Sequence, residues 1–235
     1  KNYIDEMAVI FPFEKKFYED EGISSHYVGH PLLNDDSYKI KYNVNKDYIG
    51  FFPGSRLSEV KNHLPILSVV IDNMKKKYPE QKFLVSRSCN INKKIYEKYF
   101  LNKKNVSIIA NENIYKTIDM CKIAVAASGT ITLQIALKKI PMCVFYKISS
   151  ATFFIIKFLV KIKFISLVNI ILGKKIVEEF VQKNASVSNI QNEIEKINSD
   201  NNHRKSLIKN ISNIEKVLLN NSSKTNICQL IERLL

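Results

Sequence analysis

Five apolar residues in a row, Ile123, Ala124, Val125, Ala126 and Ala127, stop at Ser128, Gly129 and Thr130. Apolar residues then return at Leu133, Ile135, Ala136 and Leu137. The run has the length of a parallel strand buried on both faces, and the apolar residues beyond the turn are spaced roughly as in a helix. A strand that turns tightly into a helix aims backbone N–H groups and the positive end of the helix dipole at one point, which suits an anion. Gly129 lets a ligand approach the backbone, while Ser128 and Thr130 offer a cap or donors to phosphate oxygens. Alone, the turn also fits an ordinary capped βα junction. A second turn of the same design lies upstream. Tyr48, Ile49, Gly50, Phe51 and Phe52 run through Pro53, Gly54, Ser55 and Arg56 into a helical pattern of Val60, Leu64, Leu67, Val70 and Ile71. Glu59 falls in the first turn of that helix, where a carboxylate complements the dipole. Arg56, at a helix start beside a glycine, presents a fixed fork that fits a diphosphate.

Between and beyond these turns, strands alternate with helices. Strands are expected at 48–52, 82–86, 106–109, 123–127 and 140–146, and helices after Arg56 and at 92–100, 114–120 and 130–137. That alternation predicts an α/β fold with a doubly wound parallel sheet, whose ligands sit at the carboxyl ends of the strands. Upstream, a strand over residues 7–11 precedes a helix opened by Pro12 and closed by Gly22, and a second strand over 26–33 ends at Gly29, His30 and Pro31. Residues 34–45 are polar and turn-rich and read as a linker, with His30 a candidate to line a cleft beside it. Residues 151–172 are the most hydrophobic stretch, yet Lys157, Lys161 and Lys163 interrupt it short of the roughly 20 apolar residues a membrane span needs. The lysine stripe beside Phe154, Ile155, Phe158, Leu159 and Ile162 fits a helix lying on an anionic membrane, and equally a core helix with a narrow wet edge. A helix with Glu178 and Glu179 is expected over 174–181, then two or three polar-faced helices from residue 187.

The chain carries a net charge of +14, which invites a polyanion or an anionic surface. Aromatic residues are not interleaved with the basic ones as in a stacking platform for nucleic acid, so a nucleic-acid module is disfavoured. Cys89, Cys121, Cys143 and Cys228 show no metal-type spacing, and Cys121 and Cys143 sit in apolar runs as reduced thiols do. The chain opens on Lys1 and enters at once into an apparent strand, as an element cut from a longer protein would.

Taken together, several pieces resemble the lipid-A-disaccharide synthase family, glycosyltransferases of the GT-B fold. They are Phe11-Pro12-Phe13-Glu14 with Phe17 and Tyr18, Val28-Gly29-His30-Pro31-Leu32, and Pro53-Gly54-Ser55-Arg56 with Glu59, Val60, Leu64 and Pro65. Ala127-Ser128-Gly129-Thr130 with Thr132 and Leu133, Pro141-Met142, Tyr146-Lys147, Ile165-Ser166-Leu167 with Asn169, and Gly173 with Val177 and Glu179 complete the series. The resemblance implies a GT-B type α/β architecture: a Rossmann-like doubly wound parallel sheet domain plus the tail end of a second Rossmann-like domain. Residues 1–35 would be the remnant of the N-terminal acceptor-side domain and hinge, 36–185 the C-terminal UDP-sugar domain, and 186–235 C-terminal helices.

The reaction implied is transfer of 2,3-diacylglucosamine from UDP-2,3-diacylglucosamine to 2,3-diacylglucosamine 1-phosphate (lipid X), with inversion, release of UDP and neither metal nor cofactor. Arg56 and His30 are the implied catalytic candidates, His30 as the first suspect for a base within this chain. Gly54, Ser55, Arg56, Ser128, Gly129, Thr130, Gln134, Tyr146, Asn169 and Glu179 are the implied substrate contacts. Gln134 stands where the family usually has a ribose-binding Glu, so a hydrogen bond is kept and a charge lost. Val168 replaces a usual Pro, and Lys174 replaces an Arg, forfeiting bidentate geometry. The implied partners are the two acylated sugars and a membrane surface, not nucleic acid, with homodimerisation open. The implied location is the cytoplasmic face of the inner membrane of a Gram-negative-type bacterium. Another UDP-sugar transferase of the same fold, or an epimerase, remains the alternative. A chain lacking the opposing wall is expected to bind donor without turning over.

Overall fold

The computed structural model describes residues 4–34, 36–148, 163–220 and 227–234. The N-terminal unit is β1 (Met7–Val9), α1 (Pro12–Asp20) and β2 (Ser25–Tyr27), the two strands pairing in parallel, followed by a short α2 (Pro31–Asn34). Alternation then sets in with β3 (Tyr48–Phe52), α3 (Leu57–Lys77), β4 (Lys82–Arg87), α4 (Lys93–Phe100) and β5 (Val106–Ala110). It continues through α5 (Ile114–Asp119), β6 (Cys121–Ala127), α6 (Thr130–Leu137), β7 (Met142–Tyr146), α7 (Leu167–Leu172) and β8 (Glu179–Val181). The tail is α8 (Val187–Ser199), α9 (Asn201–Ile211), α10 (Asn213–Asn220) and α11 (Ile227–Leu234).

Six strands form one parallel sheet in the order β5-β4-β3-β6-β7-β8. The order reverses between β3 and β6, and a crevice opens there between helices that leave in opposite directions. Small residues let these two strands meet closely. Gly50 pairs with Ala124, and a side chain on Gly50 would collide with the Cys121 thiol. On one face α3 buries Val60, Leu64, Leu67, Ile71 and Met74 completely, each contributing about 1.5–3 kcal/mol through area removed from water.

The tail belongs to the same core. Ile190, Ile194 and Ile197 of α8 are fully buried against α3, β6 and β7. α10 reaches back to the N-terminal unit, where the Tyr27 hydroxyl donates to the Leu218 carbonyl at 2.9 Å. Tyr38, in the linker, donates to Glu215 Oε1 at 3.0 Å.

Two expectations are corrected. The strand expected over 26–33 ends at Tyr27, because Pro31 starts α2 and His30 caps it, its Nδ1 accepting from Leu32 N–H at 3.1 Å. The helix expected over 174–181 is instead a turn leading into β8. The free edge of β7 supplies a ladder, with Val144 opposite Glu179 and Val144 N–H donating to the Glu178 carbonyl at 2.8 Å. The membrane-lying helix expected over 151–162 falls outside the described residues. Among those described, no helix is long and apolar enough to cross a membrane.

Candidate functional site

The two glycine turns arrive side by side at the crevice. A cleft of about 180 Å³ is lined by Pro53, Gly54, Ser55 and Glu59 after β3 and by Ser128, Gly129, Thr130, Ile131 and Gln134 after β6. Ser86, Ser88 and Asn111, at the ends of β4 and β5, extend it sideways. Gly54 has φ +106° and Gly129 φ +152°, both in backbone territory that side chains disfavour. Neither α3 nor α6 has a side-chain cap: Arg56 and Gly129 hold the two N-cap positions without a capping hydrogen bond. Their first N–H groups and dipoles are therefore left for something in the cleft, and the chemistry that fits is an anion.

A carboxylate stands behind this anion site. Glu59 Oε1 accepts from Arg56 Nη1 at 3.1 Å and from the Tyr146 hydroxyl at 3.2 Å. The Glu59 side chain is only 9% exposed whereas that of Arg56 is 77% exposed, and Arg56, expected as a diphosphate contact, is not among the lining residues, though the Glu59 it pairs with is. Burial, with the Glu59 carboxylate beside it, pushes the Tyr146 phenol up and keeps it a donor. One helical turn further, fully buried His63 sets its Nδ1 2.7 Å from the Pro53 carbonyl, and its Nε2 accepts from Lys147 N–H at 3.1 Å. Burial lowers its pKa and keeps the ring neutral. Sequence reasoning passed over His63. Its signal was a lone histidine on the buried face, four residues after Glu59.

The remaining expected contacts divide. Gly54, Ser55, Ser128, Gly129, Thr130 and Gln134 line the cleft. Ser128, expected as a phosphate donor, gives its hydroxyl proton to the Ile165 carbonyl at 2.6 Å and its N–H to Phe145 O at 3.2 Å. Only its oxygen lone pairs remain for a ligand. Tyr146, Asn169 and Glu179, expected as substrate contacts, are not among the lining residues. Asn169 is fully buried; its Oδ1 accepts from Ile176 and Val177 N–H at 2.7 and 3.0 Å, and its Nδ2 donates to Glu179 Oε1 and Val177 O at 2.7 and 2.9 Å. Glu179 also takes Ile165 N–H, Ser166 N–H and the Ser166 hydroxyl at 2.8–2.9 Å. The pair thus fixes the 163–178 segment on either side of α7, and the Ile165 carbonyl of that segment in turn accepts from Ser128.

His30 is not among the residues lining the cleft and packs at a tilt against Phe11, with ring centroids 4.9 Å apart. A neutral ring whose Nδ1 lone pair accepts Leu32 N–H carries its proton on Nε2 and has no free lone pair with which to act as a base. In this conformation His30 is a helix cap. Asn111 Oδ1, in contrast, is a buried acceptor without a hydrogen-bond partner among the described residues, at the β5 end of the cleft.

A family model described as lipid-A-disaccharide synthetase matches residues 1–231. Lipid-A-disaccharide synthase 1 of Legionella pneumophila subsp. pneumophila (strain Philadelphia 1) is 31% identical over 240 residues, covering 98% of this chain and 62% of the relative. Lipid-A-disaccharide synthase of Acinetobacter baylyi is 36% identical over 216 residues, covering 84% and 54%. The chain thus spans 62% or less of the length of these two curated relatives. Among solved structures, the S. aureus MnaA–UDP co-structure superposes with TM-score 0.61 at 12% identity, covering 94% of this chain and 61% of that one. HepE of Anabaena in complex with UDP and glucose gives TM-score 0.53 at 14% identity, with 98% and 62% coverage. At such identities the likeness is one of fold, the GT-B fold.

Proposed function

The chain belongs to the lipid-A-disaccharide synthetase family, and on that premise we propose that it holds the donor of a glycosyl transfer, UDP-2,3-diacylglucosamine, in the cleft between β3 and β6. Two uncapped helix N-termini converging at the reversal of strand order carry this reading. The diphosphate lies across the turns at Gly54–Ser55 and Gly129–Thr130. Arg56 swings from Glu59 onto the diphosphate, and Asn111 Oδ1 offers an acceptor to the nucleobase.

In the transfer, the 6-hydroxyl of lipid X attacks the anomeric carbon of the donor sugar. The bond from that carbon to the UDP oxygen breaks, and the hydroxyl proton passes to a base on the acceptor side. Negative charge grows on the leaving UDP. Fixed N–H dipoles meet that charge without reorganising, which lowers the barrier more than it tightens ground-state binding, and Arg56, already moved onto the diphosphate when donor binds, adds its charge to theirs. Gln134 contacts the ribose hydroxyls as a neutral acceptor. Both substrates carry acyl chains, so the proposed working place is the cytoplasmic membrane surface.

Calorimetry with UDP on the wild-type chain and on Arg56→Ala tests the donor site. Loss of a charge-assisted hydrogen bond weakens binding by about 1.5–3 kcal/mol. Unchanged affinity would remove Arg56 from the site, and no binding by wild type would remove the nucleotide reading. Acylated against unacylated UDP-glucosamine separates the lipid A donor from other UDP-sugars.

A further inference from the structure

His63 reaches across the sheet. β3 and β7 are not neighbours, because β6 and its glycine turn lie between them. From the buried face of α3, one imidazole nevertheless holds the Pro53 carbonyl at the end of β3 and Lys147 N–H at the end of β7, at 2.7 and 3.1 Å. Its ring packs edge-on against Phe145 with centroids 4.6 Å apart, which fixes its rotation. One turn earlier on the same helix face, Glu59 takes the Tyr146 hydroxyl. The two contacts form a double brace over the β6 turn, and both begin in the first two turns of α3. Pro53 precedes Gly54, whose φ of +106° glycine adopts as readily as many other conformations, so the direction of the turn is set by what holds its neighbours.

We infer that His63 is a positioning residue of the anion site: by holding the Pro53 carbonyl it fixes the direction in which Gly54 and Ser55 present their N–H groups to a bound diphosphate. The inference rests on the UDP reading of the cleft. The ring acts through the turn and touches no ligand. Its two nitrogens have separable duties, since the Nδ1 bond aims the turn and the Nε2 bond ties α3 to β7.

Side-chain amides separate these duties. Asn places its Nδ2 near the position of the histidine Nδ1 and keeps the bond to Pro53; Gln reaches the position of Nε2 and keeps the bond to Lys147. Each variant loses one buried hydrogen bond, so His63→Asn and His63→Gln lose thermal stability to a similar degree. UDP affinity separates them: His63→Asn stays within about threefold of wild type, while His63→Gln and His63→Leu lose about tenfold or more, the effect of one misdirected hydrogen-bonding turn. Calorimetry on the 235-residue chain, with thermal melts on the same samples, reads both quantities. Wild-type affinity in His63→Gln and His63→Leu overturns the inference, as does a loss that merely follows the melting temperature across all three. Wild type failing to bind UDP overturns the nucleotide reading and this one with it. Intact wild-type binding with unchanged variants overturns this one alone.

Discussion

Replacing Gly54 with alanine tests the site at its tightest point. The residue has φ +106°, and an added Cβ would stand 2.7 Å from Glu59 Oε2 and 3.3 Å from Glu59 Cβ. Holding an L-residue in such backbone costs about 1–3 kcal/mol. The carboxylate must also move, which breaks its contacts with Arg56 at 3.1 Å and Tyr146 at 3.2 Å. Because Arg56 is largely exposed, its ion pair adds no more than about 1 kcal/mol. The neutral bond from Tyr146 adds about 0.5–1.5 kcal/mol. Together these give a loss of about 1.5–5.5 kcal/mol, which for a chain of this size lowers the melting temperature by roughly 3–20 °C. UDP affinity falls about tenfold or more as the turn rotates away from the anion. Scanning calorimetry and titration calorimetry read the two effects. The double variant Gly54→Ala/Glu59→Ala sharpens the test, because removing Glu59 relieves the collision and leaves the backbone strain. Less destabilisation than the sum of the singles is expected, by about 1 kcal/mol. A Gly54→Ala chain with wild-type melting and wild-type affinity would refute both the backbone conformation and its role.

Asn169→Ala strands two buried N–H groups, a carbonyl and part of the Glu179 carboxylate, so a loss of at least about 3 kcal/mol is expected in urea denaturation; a loss below about 1 kcal/mol would contradict the network. Stability also depends on pH through His63 and His30, whose burial holds both below the ordinary 6.5. An unfolded chain takes up protons that the folded one refuses. Stability is therefore complete above about pH 6.5 and declines as pH falls below it, and His63→Asn flattens that slope in melts recorded across the range.

Much of the fold was legible because buried parallel strands announce themselves. Tyr48–Phe52 and the run into Ala127 have few polar residues to confuse the pattern, and the glycine turns mark where each strand ends. β8 was not legible. Its three residues include Glu179, whose charge suggests a solvated helix until the Ile165 and Ser166 amides that it receives are known. Spacing also cannot reveal whom a side chain meets. Asn169 and Glu179 were legible as marked residues, but their partners lie in each other, in the turn at Ile176 and Val177, and in Ile165 and Ser166 before α7. His63 went unnoticed because a buried histidine on an apolar helix face looks like filler until the carbonyl of Pro53, ten residues earlier, is folded onto its ring. Gly54, Ser55, Gly129 and Thr130 were readable as one site because backbone geometry, set locally by glycine, makes most of it, whereas Gln134 was reached only through the family resemblance.

β3 and β6 lie side by side, although two strands and three helices separate them along the chain. The cleft is therefore a non-local object, and its completion is among the slower events open to this chain, since closing a long loop costs entropy before contacts return it. Either glycine turn can form early with its own strand and helix. Neither alone presents the two converging helix ends. An anion that grips both recognises only molecules in which the seam has already closed, and its binding energy falls entirely on that side of the barrier. Nucleotide added to a refolding mixture then leaves the folding rate nearly unchanged and slows unfolding, acting as a latch on finished molecules and not as a template for unfinished ones.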